Sequence, residues 1–225
     1  MKNVSAVIVA AGTASRMRGI DKTVAPIGGV PMILRTVRAL AASERITEIL
    51  VVTREDLVAS ITELCKGEEK FKKALLGGAS RAESVVQGLQ DASGDLVAIH
   101  DGARPFVTPE IIDRTVKAAE SIGAAAPAIA VRDTIKVAKN SEICATPDRS
   151  TLFAVQTPQI FDLETIKSAL QTAMTQNIPL TDDCSAAEAA GLRVVLTEGS
   201  DENIKITTPM DLIFAEAILK RREAL

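Results

Sequence analysis

The chain has no tryptophan and no tyrosine, and five phenylalanines are its only aromatic residues. The stacking platforms that bind single-stranded nucleic acid are therefore missing, and the core must rest on Val, Ile, Leu and Ala. No charge sign dominates: 26 Lys and Arg stand against 29 Asp and Glu, a net charge of −3. Such a balance provides no field for a nucleic-acid backbone, so nucleic acid is not expected as a partner and any phosphate recognition must be local. There is a single histidine and no G-x-S-x-G, which argues against a Ser-His-Asp triad. Cys65, Cys144 and Cys184 are odd in number and widely spaced. They fit neither a disulfide framework nor a zinc site, and point to a reducing cytoplasm. Only six apolar residues, Ala6 to Ala11, precede Gly12. That run is too short for a signal-peptide core or a membrane span.

What is present is a chain of 225 residues, 47% hydrophobic, enough for one generous α/β domain. Ala6 to Ala11 reads as a strand buried on both faces. A loop with Gly and Arg runs from Gly12 to Gly29, and Pro31 suits the first turn of a helix reaching about Ala42. Strands are expected at Ile46–Thr53, Lys73–Leu76, Asp95–Ile99 and Ala124–Val131. Helices are expected at 55–65, from a Ser80/Glu83 capping pair to about Asp91, and from Thr108-Pro109 to about Ile122. This alternation argues for a mostly parallel sheet with helices on both faces, in which ligands bind beyond the carboxyl ends of the strands. The rhythm breaks at residues 132–150, a polar stretch read as a protruding β-arm. Leu152–Val155, helices at about 162–172 and 181–190, a strand at 193–197 and a last helix from Thr208-Pro209 complete the chain. Nothing divides it, so residues 1–225 are read as one domain carrying an arm.

Three loops at strand ends hold the chemistry. Ala10-Ala11-Gly12 opens a segment carrying Arg16, Arg18 and Lys22, three cations within seven residues. Gly12 lets the backbone approach a ligand, loop N–H groups can cradle an anion, and the cations suit a triphosphate. The segment is neither a Walker A loop nor a G-x-G-x-x-G fingerprint. The second loop, Gly77 to Ser84, offers glycines on which a base or ribose can lie, with Arg81 and Ser84 in reach of a nucleotide. Ser80 and Glu83 are most simply a helix cap. The third is His100-Asp101-Gly102-Ala103-Arg104-Pro105. Its acidic and basic residues suit a metal–phosphate or substrate-phosphate contact, with a plain ion pair as the simpler alternative. His100 is best read as a satisfied structural residue. Thr181-Asp182-Asp183 resembles a helix start, and Lys220-Arg221-Arg222 suits a helix dipole.

No pair of residues is poised to deprotonate a hydroxyl. A phosphate monoester needs no such base, because its second pKa lies near ~6 and it is already anionic at neutral pH. It needs positioning and charge neutralisation instead.

Taken in order, these motifs resemble the 2-C-methyl-D-erythritol 4-phosphate cytidylyltransferase family. The markers are A-A-G…R-M…K at 10–22, G-G-x-x-R-x-x-S-V at 77–85 and H-D-G-A-R-P-F at 100–106. V-R-D-T-I-K at 131–136, D-R at 148–149, T-P-Q at 157–159, T-D-D at 181–183 and N-I-K-I-T at 203–207 continue the match along nearly the whole chain. The resemblance implies a Rossmann-like three-layer nucleotidyltransferase fold and transfer of CMP from CTP to methylerythritol phosphate. It implies that Ala10, Ala11, Gly12, Gly78, Ser84 and Gly102 line the CTP site, joined by Arg81 from the loop reading. Arg16 and Lys22 would hold the triphosphate, with Lys205 counted beside them as catalytic. Asp101, Arg104, Thr181 and Lys205 would contact the acceptor, and Thr134 and Arg149 would do so from the arm of a partner subunit in a homodimer. Magnesium would travel on the CTP phosphates with no direct protein ligand.

The chain departs from the family pattern at Asp21 and Thr23, where Pro and Gln usually flank the loop lysine. It also departs at Ala79, where an acid is common, and at Gly102, usually Ala. The loop from Arg16 to Lys22 is about one residue short. A ribitol-5-phosphate cytidylyltransferase is the nearest alternative, and a non-catalytic nucleotide-binding regulator is a distant one, disfavoured by Arg16, Lys22 and Lys205.

Overall fold

The computed structural model describes residues 2–12 and 23–224. Strand β1, Val4–Val9, shows why the first apolar run is a central strand. Val4, Ala6 and Ile8 face one layer of helices, and Val7 and Val9 face the other, so both faces are apolar. A short hairpin follows, β2 (Pro26–Ile27) and β3 (Val30–Pro31). Gly28 and Gly29 form its two-residue turn with φ of 53° and 72°, the left-handed backbone such a turn demands. Helix α1 is Met32–Ala41, so Pro31 stands just before the helix and not within its first turn.

Then come β4 (Ile46–Thr53), α2 (Glu55–Cys65), β5 (Phe71–Leu76), α3 (Arg81–Gln90), β6 (Leu96–Asp101), α4 (Pro109–Ile122) and β7 (Ala124–Ala130). The expected elements are all here, with ends shifted by a residue or two. Ser80 caps α3 by accepting from the Glu83 N–H at 3.1 Å, while the Glu83 carboxylate reaches back to the Ala79 N–H at 2.8 Å. The capping pair is thus displaced by one residue from a strict capping box. Gly88 lets α3 sit close on the sheet, since a Cβ there would collide with Val7 and stand 2.9 Å from a Val52 methyl.

The arm is a hairpin of β8 (Val137–Lys139) and β9 (Glu142–Ala145), and every residue from 132 to 146 is exposed. The chain returns through β10 (Phe153–Val155), β11 (Gln159–Asp162), α5 (Leu163–Thr175), α6 (Asp183–Ala189), β12 (Val195–Glu198) and α7 (Pro209–Glu223). Strand β11 corrects the sequence reading, which passed from β10 straight to a helix.

β5, β4, β1 and β6 run parallel in that order, and β11 lies antiparallel between β6 and β7. β10 continues along the same edge of β7, and β12 takes the other edge. Pro158, which has no N–H to donate, separates β10 from β11. α1, α2 and α4 cover one face of the sheet, and α3, α5 and α6 the other. α7 packs over a third cluster of Ile27, Met32, Ala103, Phe106 and Ile206. No helix among the described residues is long and apolar enough to cross a membrane.

The strand order reverses at β1: the chain leaves it toward β4 and β5, then returns to β6 on its other side. The carboxyl ends of β1 and β6 form the crevice where ligands of such sheets bind.

Candidate active site

Two strand ends build the floor. The Ala10 N–H donates to the Val52 carbonyl at 2.7 Å, and the Gly102 N–H to the Val9 carbonyl at 2.9 Å. Ala10-Ala11-Gly12 and Asp101-Gly102 therefore leave the sheet side by side. Beside them Gly77 donates to the Thr53 carbonyl at 2.8 Å, which brings in the loop before α3. Gly78 has no room for a side chain, because a Cβ there would collide with Glu83 and lie 3.1 Å from its backbone. Together these segments enclose a cavity of about 330 Å³.

Ala10, Ala11, Gly12, Gly78, Arg81, Ser84 and Gly102, the residues expected at the nucleotide, all line this cavity, as do Asp101 and Lys205. The Gly78 loop spends its own donors. Its N–H groups at Gly78 and Ala79 are taken by Ser84 Oγ at 3.1 Å and Glu83 Oε2 at 2.8 Å. The Ser84 hydroxyl in turn donates to the Ser80 carbonyl at 2.9 Å. This wall is a flat, small-residue surface and not an anion nest, which suits a neutral ring better than a phosphate. Ser84 shapes that wall from a buried position.

Another part of the lining is ionic. Asp101, at the end of β6, has Lys205 Nζ at 2.9 Å, Arg104 Nε at 3.4 Å and an Arg81 nitrogen at 3.9 Å. Burial pushes the Asp101 carboxyl up, but Lys205, Arg81 and Arg104 outweigh it and hold the group at about 2. Arg81 also grips Asp183, at the start of α6, through two parallel bonds of 2.9 and 2.7 Å. Burial raises the Asp183 carboxyl in spite of Arg81, while Asp183 more than offsets the burial of Arg81 and raises it, and two parallel hydrogen bonds hold the pair together. Burial lowers Arg104 as well, against the pull of Asp101. Asp182 also acts on Arg81, so three cations here stand among three carboxylates. Lys205 is the most exposed of these groups and is free to swing from Asp101 to an incoming anion.

Arg104 does not line the cavity directly. It stands behind Asp101, with Nη1 donating to the Asn203 carbonyl at 2.6 Å. Thr181 is exposed, immediately before the N-cap of α6, which is capped by Asp182 and Ser185 as the helix-start reading required. Thr134 and Arg149 lie on and beside the arm and do not line this cavity. Arg149 Nη1 donates to the Arg132 carbonyl at 2.7 Å. Arg16 and Lys22, with Arg18 and Asp21, fall outside the described residues.

Sequence reasoning missed Met32 and Ala103 in the lining, and Asp183 as the partner of Arg81, while Thr23, singled out as a departure from the family pattern, does line the cavity. A signal existed for Asp183, since it lies inside the T-D-D marker. It was absorbed by the helix-start explanation, which is also true. The expectation for Lys220–Arg222 was incomplete. Arg221 and Arg222 pair with Glu202, and Arg222 stacks over Phe106 at 5.3 Å while bonding its carbonyl, tying α7 to the loop after β6.

Among the described residues no group of three or more His, Cys, Asp or Glu is arranged to hold a metal ion.

Comparison with known proteins bears on the same residues. The family model described as IspD, 2-C-methyl-D-erythritol 4-phosphate cytidylyltransferase, matches residues 4–221. A protein of that name from Caldanaerobacter subterraneus is 44% identical over 97% of this chain and 100% of its own length. One from Geobacillus kaustophilus is 43% identical over 99% of both. The crystal structure of 4-diphosphocytidyl-2C-methyl-D-erythritol synthase from Anaerococcus prevotii superposes with a TM-score of 0.87 at 29% identity, covering 97% of this chain and 96% of that one. The cytidylyltransferase from Thermus thermophilus does so with a TM-score of 0.76 at 31% identity, covering 95% and 98%. With a cavity at the reversal of its strand order, and full-length kinship in both sequence and architecture, the chain belongs to the 2-C-methyl-D-erythritol 4-phosphate cytidylyltransferase family.

Proposed function

We propose that the protein transfers CMP from CTP to 2-C-methyl-D-erythritol 4-phosphate, releasing pyrophosphate and forming 4-diphosphocytidyl-2-C-methyl-D-erythritol for isoprenoid synthesis. The observation that carries this reading is that one cavity is lined both by small neutral residues at Ala10 to Gly12 and Gly78 and by an ionic cluster of Asp101, Arg81 and Lys205. Cytosine and ribose lie along Ala10, Ala11, Gly12, Gly78, Ser84 and Gly102. The acceptor sits at Asp101 and Lys205, with Arg104 supporting Asp101 from behind and the acceptor phosphate toward the cations.

An oxygen of the acceptor phosphate attacks the α-phosphorus of CTP. The new P–O bond forms as the bond from the α-phosphorus to the bridging oxygen breaks, and pyrophosphate leaves with the electron pair. No proton need be removed, so the protein contributes alignment and charge. Arg16 and Lys22 neutralise the triphosphate and the developing charge. Lys205 turns from Asp101 to the acceptor phosphate. Magnesium, when bound, would come as the complex with CTP and would supply charge neutralisation on its phosphates.

The working unit is a homodimer in which the arm of each subunit brings Thr134 and Arg149 to its partner's acceptor. Ile135, Val137 and Ile143 on the arm, and Met210, Ile213 and Phe214 on α7, are exposed apolar residues in keeping with such a contact. We place the enzyme in the reducing cytoplasm, in keeping with three free cysteines.

Pyrophosphate release by purified protein with CTP and magnesium tests the reaction. Turnover with methylerythritol phosphate and not with ribitol 5-phosphate is expected. The reverse preference would move the acceptor assignment, and silence with both would overturn the chemistry.

A further inference from the structure

His100 is the only histidine of the chain and is completely buried on β6, next to Asp101. Both of its ring nitrogens are engaged. Nε2 is 3.0 Å from the Arg104 carbonyl oxygen, and Nδ1 is 3.0 Å from Thr157 Oγ1. The same Thr157 oxygen accepts from the Asp101 N–H at 3.1 Å.

Only one arrangement of protons satisfies every partner. A carbonyl oxygen can only accept, so Nε2 carries the hydrogen. Nδ1 of the neutral ring then presents a lone pair, and the Thr157 hydroxyl donates to it. The remaining lone pairs of Thr157 Oγ1 receive the Asp101 N–H. The relay closes through Asn203, whose Nδ2 donates to the Thr157 carbonyl at 2.9 Å and whose own carbonyl receives Arg104 Nη1 at 2.6 Å. Arg104 is thus fixed at its carbonyl by His100 and at its guanidinium by Asn203. Lys205 lies two residues beyond Asn203 and reaches Asp101 at 2.9 Å.

We propose that His100 is a positioning residue for the acceptor: as a neutral, Nε2-protonated imidazole it locks Asp101 and Arg104 through Thr157 and the Arg104 carbonyl. It touches no reactant. The groups around it agree with the neutral form. Burial pushes its pKa down to about 4, and Arg104 and Lys205 add to that, against the Arg104 carbonyl bond and the Asp101 charge. An imidazolium would place a hydrogen between Nδ1 and Thr157 and force that hydroxyl to find a new acceptor, loosening its hold on the start of the acceptor loop.

The proposal rests on the reaction proposed above, and two substitutions separate its two limbs. His100→Asn leaves an amide near the Nδ1 position but cannot reach the Arg104 carbonyl, whereas His100→Gln carries an N–H to the Nε2 position. With His100→Asn, KM for methylerythritol phosphate rises about tenfold or more while KM for CTP stays within about twofold, the scale of one buried hydrogen bond lost on one substrate's side. His100→Gln recovers most of that loss. Wild-type protein inactive with this acceptor would remove the reaction and this role with it. Active wild type whose folded His100→Asn variant keeps both KM values, or raises both alike, would overturn the positioning role alone. If neither variant folds, nitrogen NMR of the wild-type imidazole decides, and a single histidine makes the signals unambiguous. A neutral Nε2–H tautomer persisting from about pH 8 to about pH 5 supports the proposal, and an Nδ1–H tautomer or a charged ring in that range overturns it.

Discussion

Arg81 and Asp183 meet in two parallel hydrogen bonds, Nη1 to Oδ1 at 2.9 Å and Nη2 to Oδ2 at 2.7 Å, and so join the first turns of α3 and α6 beside the cavity that Arg81 lines. Asp183 is almost wholly buried, and its own N–H donates to Gln159 Oε1 at 3.0 Å, so it cannot turn to water for compensation. Asp183→Asn keeps the shape but leaves a guanidinium without its counter-charge. Removing one partner of a buried pair costs about 3–5 kcal/mol, and a loss near ~3 kcal/mol is expected because Arg81 retains some exposure. Urea denaturation measures it. A change below about 1 kcal/mol would mean that the pair contributes no more than a surface ion pair.

Lys205 and Lys22 are expected to act in different places. Lys205→Ala removes the cation nearest Asp101, so the Asp101 carboxylate then faces the incoming phosphate less shielded. A roughly hundredfold fall in kcat/KM for the acceptor is expected, with a small effect on KM for CTP. Lys22→Ala should lower kcat by a similar or larger factor, roughly a hundredfold or more, with the melting temperature unchanged. Steady-state kinetics with each substrate varied in turn decides. Unchanged turnover in Lys22→Ala would remove it from the transition state.

Much of this could be read from the sequence because local signals and the global fold agree. Ser80, Thr108-Pro109 and Thr208-Pro209 mark helix starts at the positions observed, and the Val- and Ile-rich runs of β1 and β4 have no other stable home than a doubly covered sheet. What was illegible depends on pairing across distance. Gln159–Asp162 is four residues of mixed character, and only insertion between β6 and β7 makes it a strand. The β2–β3 hairpin has its glycine pair but strands of two residues, too short for any periodicity. His100 was read correctly as a satisfied histidine, but its partners Thr157 and Arg104 lie 57 and 4 residues away, and only the folded chain shows that they also hold Asp101.

His100 also sets a pH signature of stability. Its folded pKa of about 4 lies below the ordinary 6.5, so the unfolded chain takes up a proton first as pH falls. Stability is therefore full above about pH 6.5, declines between about 6.5 and 4, and then levels off for this group, a loss of roughly 3 kcal/mol. Asp101 and Glu48, both held at about 2, act in a separate and lower window. Their contribution is present above the ordinary carboxylate value and is lost as pH falls toward 2. Urea midpoints measured from pH 7 to pH 4.5 should slope downward in the wild type and stay flatter in His100→Gln, which cannot titrate. Equal slopes would assign the acid sensitivity to other groups.

The proposed exchange of arms makes a prediction that no single-subunit site can imitate. If each acceptor site takes Lys205 from its own chain and Arg149 from its partner, Lys205→Ala and Arg149→Ala are both inactive alone, but their mixed dimer holds one intact site. Random reassortment makes half of the dimers mixed, each with one of two sites working, so mixing should restore about a quarter of wild-type activity. Replacing Ile143, an exposed apolar residue of the arm, by arginine should prevent both dimerisation and this rescue. Sedimentation and pyrophosphate release on the same samples give the answer: rescue that tracks the dimer supports a site shared between subunits, and two variants that stay inactive when demonstrably mixed would return Arg149 to its own chain.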